Sequence, residues 1–239
     1  MRNQNHILKV YSRALFVVLL SVMFLGCTSS QNKEREVQKS KSQEVNLPDF
    51  SSVDTENVFA YNCGDSLQFA AHVTTDSTWL FLSDTTVKVL PVEAGSGSKY
   101  EGNSFLYWSK GDEAILQRPQ GSFVTCRTVP KEKSWQAARI RGVDFRALGQ
   151  EPGWHLEITE GQELRYIGNY GKDTLVADVP KPEKTGQRTI YQARSGSRSI
   201  KIEILDEPCT DSMSGFQFPS TVTVTVDAKT YRGCGRALD

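Results

Sequence analysis

The chain has 239 residues, with 28 lysines and arginines against 28 aspartates and glutamates. That balance excludes the basic face that nucleic-acid binding demands. Three histidines, one of them at position 6, leave an envelope hydrolase without a convincing nucleophile–base pair.

The first 27 residues read as a targeting segment and stand outside the fold. Arg2, Lys9 and Arg13 precede a nearly unbroken apolar run from Ala14 to Leu25, too short to span a bilayer comfortably. Without these three cations the remainder carries 25 basic and 28 acidic residues, a net of −3. The run ends in Phe24-Leu25-Gly26-Cys27-Thr28. A small residue directly before a cysteine resembles the lipobox of bacterial lipoproteins, here with Phe24 where Leu is usual. The resemblance implies acylation of Cys27 and a membrane held through an N-terminal lipid anchor. Thr28, rather than Asp, resembles lipoproteins of the outer membrane, implying a Gram-negative envelope and a protein facing the periplasm. Residues 28–57 then turn to Ser, Gln, Lys, Glu and Asn with no periodicity. Such a composition predicts a flexible tether.

With Cys27 assigned to lipid, Cys63, Cys126, Cys209 and Cys234 remain. An even set in an exported chain implies disulfides, and four cysteines allow three pairings. Cys63–Cys126 with Cys209–Cys234 is favoured, because each pair then brackets one run of strands. A zinc site is the rival, but no C-x-x-C exists, and His72 and His155 lack ligand spacing. No metal and no cofactor are expected.

From 58 to 129 short alternating runs follow one another at the spacing of an all-β barrel or sandwich. Seven runs are legible: 58–63, 66–73, 78–83, 86–91, 104–109, 113–118 and 122–127. Gly95 to Lys99 reads as a glycine loop, Phe105 to Trp108 as an aromatic strand, and Lys110-Gly111 as a charged turn. A cross-link from Cys63 to Cys126 would join the first strand to the last and close the barrel.

Within this region the string Y-x-C…S-G-S-K-Y-x(7)-W-S-K-G-D-E-A-x-L, closed by C-R, spans residues 61–127. It resembles the membrane-bound and periplasmic inhibitors of c-type lysozyme. The resemblance implies a small antiparallel barrel whose serine and lysine loops enter the lysozyme's active-site cleft. Carried over, the partner is c-type lysozyme and the contact residues are Ser96 with Gly97, and Lys110 with Gly111. Tyr100 and Trp108 match family aromatics that brace the loops or line the contact. On the residues alone Ser96 reads as turn filler and Lys110 as a solvated strand end; the register of the two motifs reverses that. Ser96-Gly97-Ser98-Lys99 and Lys184-Thr185-Gly186 also spell two parts of the penicillin-binding-protein signature. There the serine opens a buried helix, and no such helix is legible here, so no enzyme is expected.

The polar stretch after 129 predicts one helical turn at Trp135 to Arg139. A second all-β domain follows over 139–239, with runs at 143–149, 154–159, 163–168, 174–179, 189–193, 199–205 and 221–226. Strict alternation in the last two implies sheets with one buried face. Pro180 to Gly186 reads as an exposed loop. The ends of this domain resemble uncharacterised bacterial envelope lipoproteins, a resemblance that implies no activity. Glu151, Trp154 and Asp211 are its site candidates, weighed against core and turn roles.

The predicted class is thus all-β: two small antiparallel barrels or sandwiches after a lipoprotein leader and a disordered tether. The leading function is a lipid-anchored lysozyme inhibitor. The alternative is an envelope structural or ligand-binding lipoprotein acting through the second domain.

Overall fold

The computed structural model describes residues 47–65 and 67–238. The leader, Cys27 and the tether before residue 47 lie outside the described residues. Among the described residues, no helix is long and apolar enough to cross a membrane.

The first sheet is a closed eight-stranded barrel of consecutive antiparallel strands. Its strands are β1 (Val58–Asn62), β2 (Gln68–Val73), β3 (Thr78–Phe81), β4 (Thr86–Val92), β5 (Ser98–Gly102), β6 (Phe105–Lys110), β7 (Glu113–Gln117) and β8 (Phe123–Thr128). Alternation puts Phe69, Leu80, Val89, Tyr107 and Leu116 inside. Tyr61 and Tyr107 share a buried hydroxyl–hydroxyl hydrogen bond of 2.9 Å. The barrel closes through just two residue pairs, Tyr61↔Thr128 and Asn62↔Arg127. The Cys63–Cys126 disulfide lies directly beside them.

Strand β5 was not legible as a strand. Ser98-Lys99-Tyr100-Glu101-Gly102 has one apolar residue and glycines around it, and only Tyr100 turns toward the core. The strand forms because β4 and β6 pair with it on either side. A two-residue turn, Asn103 and Ser104, both at positive φ, leads into β6.

Helix α1 (Lys133–Ile140) follows, eight residues long rather than a single turn. Its sequence carries two apolar stripes at i, i+3 spacing. Ala137 and Ile140 pack with Val58, Ala70 and Phe81 on the barrel. Trp135 and Ala138 pack with Val143, Phe218, Cys234 and Leu238 on the second half. The helix is therefore a wedge shared by both halves.

The expected tether also ends earlier than residue 57. Phe50 sits edge-on to Trp79 and Phe81, at 5.4 and 5.1 Å between ring centroids, and Val53 is buried beside them. Burying two apolar side chains offsets the ordering of the short segment between them. A 3-10 turn at Thr55–Asn57, capped by Asp54, then enters β1.

The second sheet contains β9 (Phe145–Gly149), β10 (Trp154–Ile158), β11 (Glu163–Gly168), β12 (Asp173–Asp178), β13 (Glu183–Thr185), β14 (Arg188–Ser195) and β15 (Arg198–Leu205). After a small separate ladder of β16 (Cys209–Thr210) and β17 (Gln217–Phe218), it is completed by β18 (Ser220–Val226) and β19 (Lys229–Ala237). The nine strands run in the order β12-β11-β10-β9-β19-β18-β15-β14-β13. Contact between β12 and β14 shows that the sheet curls on itself. Leu156, Ile158, Leu164, Tyr166, Ile202 and Val224 fill the concave side. The stretch expected as an exposed loop at 180–186 is exposed, and part of it forms the short strand β13.

Strand β19 carries the topology, because it alone joins the first strand of this sheet to β18. Its K-T-Y-R-G-C-G-R-A sequence hides it. A β-carbon built at Gly233 would overlap the Leu148 carbonyl oxygen and the Trp154 ring, so glycine is required by contact. Gly233→Ala should cost roughly 3 kcal/mol through overpacking against backbone. Thermal unfolding should then fall by about 6–12 °C; an unchanged midpoint would contradict this packing. The Cys209–Cys234 disulfide ties β16 to β19.

Candidate functional site

Two connections of the barrel meet at Gly97. This glycine has φ +69, and a β-carbon there would overlap the Ser109 carbonyl oxygen and lie 3.1 Å from Cβ of Lys110. Only glycine has both the conformation and the bulk for that approach. The approach sets Ser96 beside Lys110, fourteen positions on in the sequence. Trp108 fixes the arrangement by donating its indole N–H to the Ser96 carbonyl oxygen at 2.8 Å.

On the other side, Lys110 ends β6 opposite Glu113, with Gly111 at φ +59 and Asp112 forming the turn between them. The β8 end braces this turn, since Thr128 N–H donates to the Asp112 carbonyl at 2.9 Å. Ser96, Gly97, Lys110 and Gly111 are all exposed. Lys110 makes no ion pair among the described residues, because Glu113 pairs with Arg127 at 2.7 Å instead. The backbone of Lys110 is thus fixed at the turn, and its side chain pairs with no carboxylate among the described residues.

Strand alternation sorts the two aromatics. Tyr100 faces inward and stacks on Tyr107, with centroids 5.7 Å apart, so it braces the hairpin from within the barrel. Trp108 faces outward and, with Ser96, Lys110, Glu113, Ile115 and Thr125, lines a shallow cavity of about 310 Å³. Glu113, Ile115 and Thr125, not among the sequence candidates, line the same cavity. Their signal was available: they occupy the outward positions of β7 and β8 in register with Lys110 and Trp108.

Residues 61–122 match the family model of the membrane-bound lysozyme-inhibitor of c-type lysozyme. That match runs from Tyr61, within β1, to the residue before β8 and contains Ser96, Lys110 and Trp108. Neither the curated proteins nor the solved structures contain a match to the chain. The inhibitor family is not an enzyme family. Ser96 is on an exposed loop, and Lys99 pairs outward with Glu101 at 2.6 Å. Among the described residues no group of His, Cys, Asp or Glu is gathered for a metal ion.

Two of the three candidates in the second half hold structural places. Trp154 is buried in its core. Asp211 is buried and holds the following loop by accepting from Ser214 N–H and Oγ–H, at 2.8 and 2.6 Å. Glu151 is exposed at the turn between β9 and β10.

Proposed function

We infer that the protein inhibits c-type lysozyme by presenting Ser96 and Lys110 to the enzyme's active-site cleft. The observation that carries this reading is the Gly97 approach, which holds both residues on one exposed edge of a family barrel. A lysozyme needs one carboxylic acid kept protonated and one carboxylate kept charged, on either side of the scissile bond. An ammonium group brought between them pairs with the carboxylate and lowers the pKa of the acid. The proton donor is then lost and the sugar site is filled. Ser96 adds a hydroxyl that can donate to one carboxyl oxygen and accept from another group. Trp108 and Ile115 supply apolar surface beside the polar pair, the usual composition of an interface centre.

The same reading includes acylation of Cys27, which would keep the inhibitor at the envelope whose peptidoglycan it protects. The family description as membrane-bound supports an envelope location. The test is lysis of peptidoglycan by a c-type lysozyme with the purified protein added. Dose-dependent inhibition is expected at micromolar protein or below, the affinity range of specific interfaces of ordinary size. No inhibition at that concentration would sink the reading.

A further inference from the structure

Arg139, on α1, is half-buried and forms no ion pair among the described residues. Its guanidinium Nε donates to Gln136 Oε1 at 3.1 Å. The one carboxylate that shares its cleft, Glu132, is committed to Arg236. Burial pushes the Arg139 pKa down, yet a guanidinium does not deprotonate in a protein. A desolvated cation of this kind is a cost that an anion would remove.

The space for one is present. A cleft of about 490 Å³ runs along α1, between the β1–β2 edge of the barrel and the end of β19. That volume suits a small organic ligand. Three cations line it, Lys131, Arg139 and Arg236, against the single carboxylate Glu132, a net of +2. Arg236 is neutralised by Glu132, which leaves Arg139 inside and Lys131 at the surface, its ammonium 4.9 Å from the Phe216 ring. Asn62, Gln68 and Gln136 line the cleft together with Phe69 and Leu238. Amides for a polar body, apolar walls and an uncompensated guanidinium together describe a pocket for a small polar molecule carrying a negative charge.

We propose that this cleft binds a small organic oxyanion, a carboxylate or phosphate on a compact polar body, with Arg139 as its main counter-charge. The cleft shares no lining residue with the cavity beside Ser96 and Lys110. Its ligand therefore stands or falls independently of lysozyme inhibition.

The test is calorimetric titration of the purified full chain with N-acetylmuramic acid, glucose 6-phosphate and neutral N-acetylglucosamine. One of the two anions should bind with Kd of about 1 mM or tighter, and the neutral sugar at least roughly tenfold more weakly. The identity of the better anion separates carboxylate from phosphate. Arg139→Gln should weaken that binding roughly tenfold or more, and Arg139→Lys less, since lysine keeps the charge but loses the fork. Lys131→Gln, at an exposed position, should weaken it about threefold and keeps the test decisive if Arg139→Gln does not fold. Absence of saturation by either anion below about 10 mM would overturn the proposal. So would equal binding of the neutral sugar, or wild-type binding by the Arg139→Gln protein or, should that not fold, by the Lys131→Gln protein.

Discussion

Alanine at both Ser96 and Lys110 should weaken inhibition of a c-type lysozyme roughly 30-fold or more, while leaving the barrel as stable as before. The size follows from where the ammonium ends up. At a wet rim one ion pair is worth less than about 1 kcal/mol. Desolvated against catalytic carboxylates, truncation costs on the order of 2–4 kcal/mol, which is the 30-fold or greater loss expected. Stability should not change because neither side chain supports the fold. Lys110 is exposed and pairs with no described carboxylate, and Ser96 holds Trp108 through its backbone carbonyl rather than its hydroxyl. Of the single variants, Lys110→Ala should show the larger loss, since it removes the charge. Inhibition curves beside thermal unfolding curves check both halves of the expectation. Full inhibition by the double variant would mean that another part of the barrel makes the contact.

Removing the Cys63–Cys126 bridge with paired serines should destabilise the protein by roughly 4 kcal/mol on the chain-entropy model for its 63-residue loop. The effect should be large because little else closes the barrel. Five residue pairs join β1 to β2, whereas two join β1 to β8. A drop of about 8–16 °C in the unfolding midpoint is expected, with inhibition lost in step as the turn at Gly111 loses its support from β8. An unchanged midpoint would show that interior packing, not the cross-link, closes the barrel. The Cys209–Cys234 bridge spans 25 residues and should contribute slightly less, roughly 3.5 kcal/mol.

What could be read from the residues follows the physics of alternation. Phe105-Leu106-Tyr107-Trp108 announces a strand because four consecutive side chains are large, apolar and mostly aromatic. Lys99-Tyr100-Glu101 does not, since its pairing on both edges comes from neighbours that no local pattern reveals. Strand β19 was hidden for the opposite reason. Gly233 and Gly235 look like turn residues, yet they are glycine because Leu148, Trp154 and Phe145 press against them. Phe50 and Val53 were read with the polar stretch around them, and only tertiary contact with Trp79 and Phe81 separates them from it. The site divides in the same way. Ser96 and Lys110 were legible as a pair through a family resemblance, and nothing local marks either of them. Glu113, Ile115 and Thr125 required the strand register to bring them to the same cavity.

If this barrel fills the lysozyme cleft, a saccharide bound in that cleft must compete with it. Binding of the purified protein to a c-type lysozyme would be titrated alone and with an N-acetylglucosamine oligosaccharide at about ten times its own Kd. If Ser96 and Lys110 occupy the sugar site, the apparent affinity of the protein should fall about tenfold, as mass action requires of two ligands sharing one site. An affinity unchanged by the saccharide would place the contact outside the cleft and contradict the account.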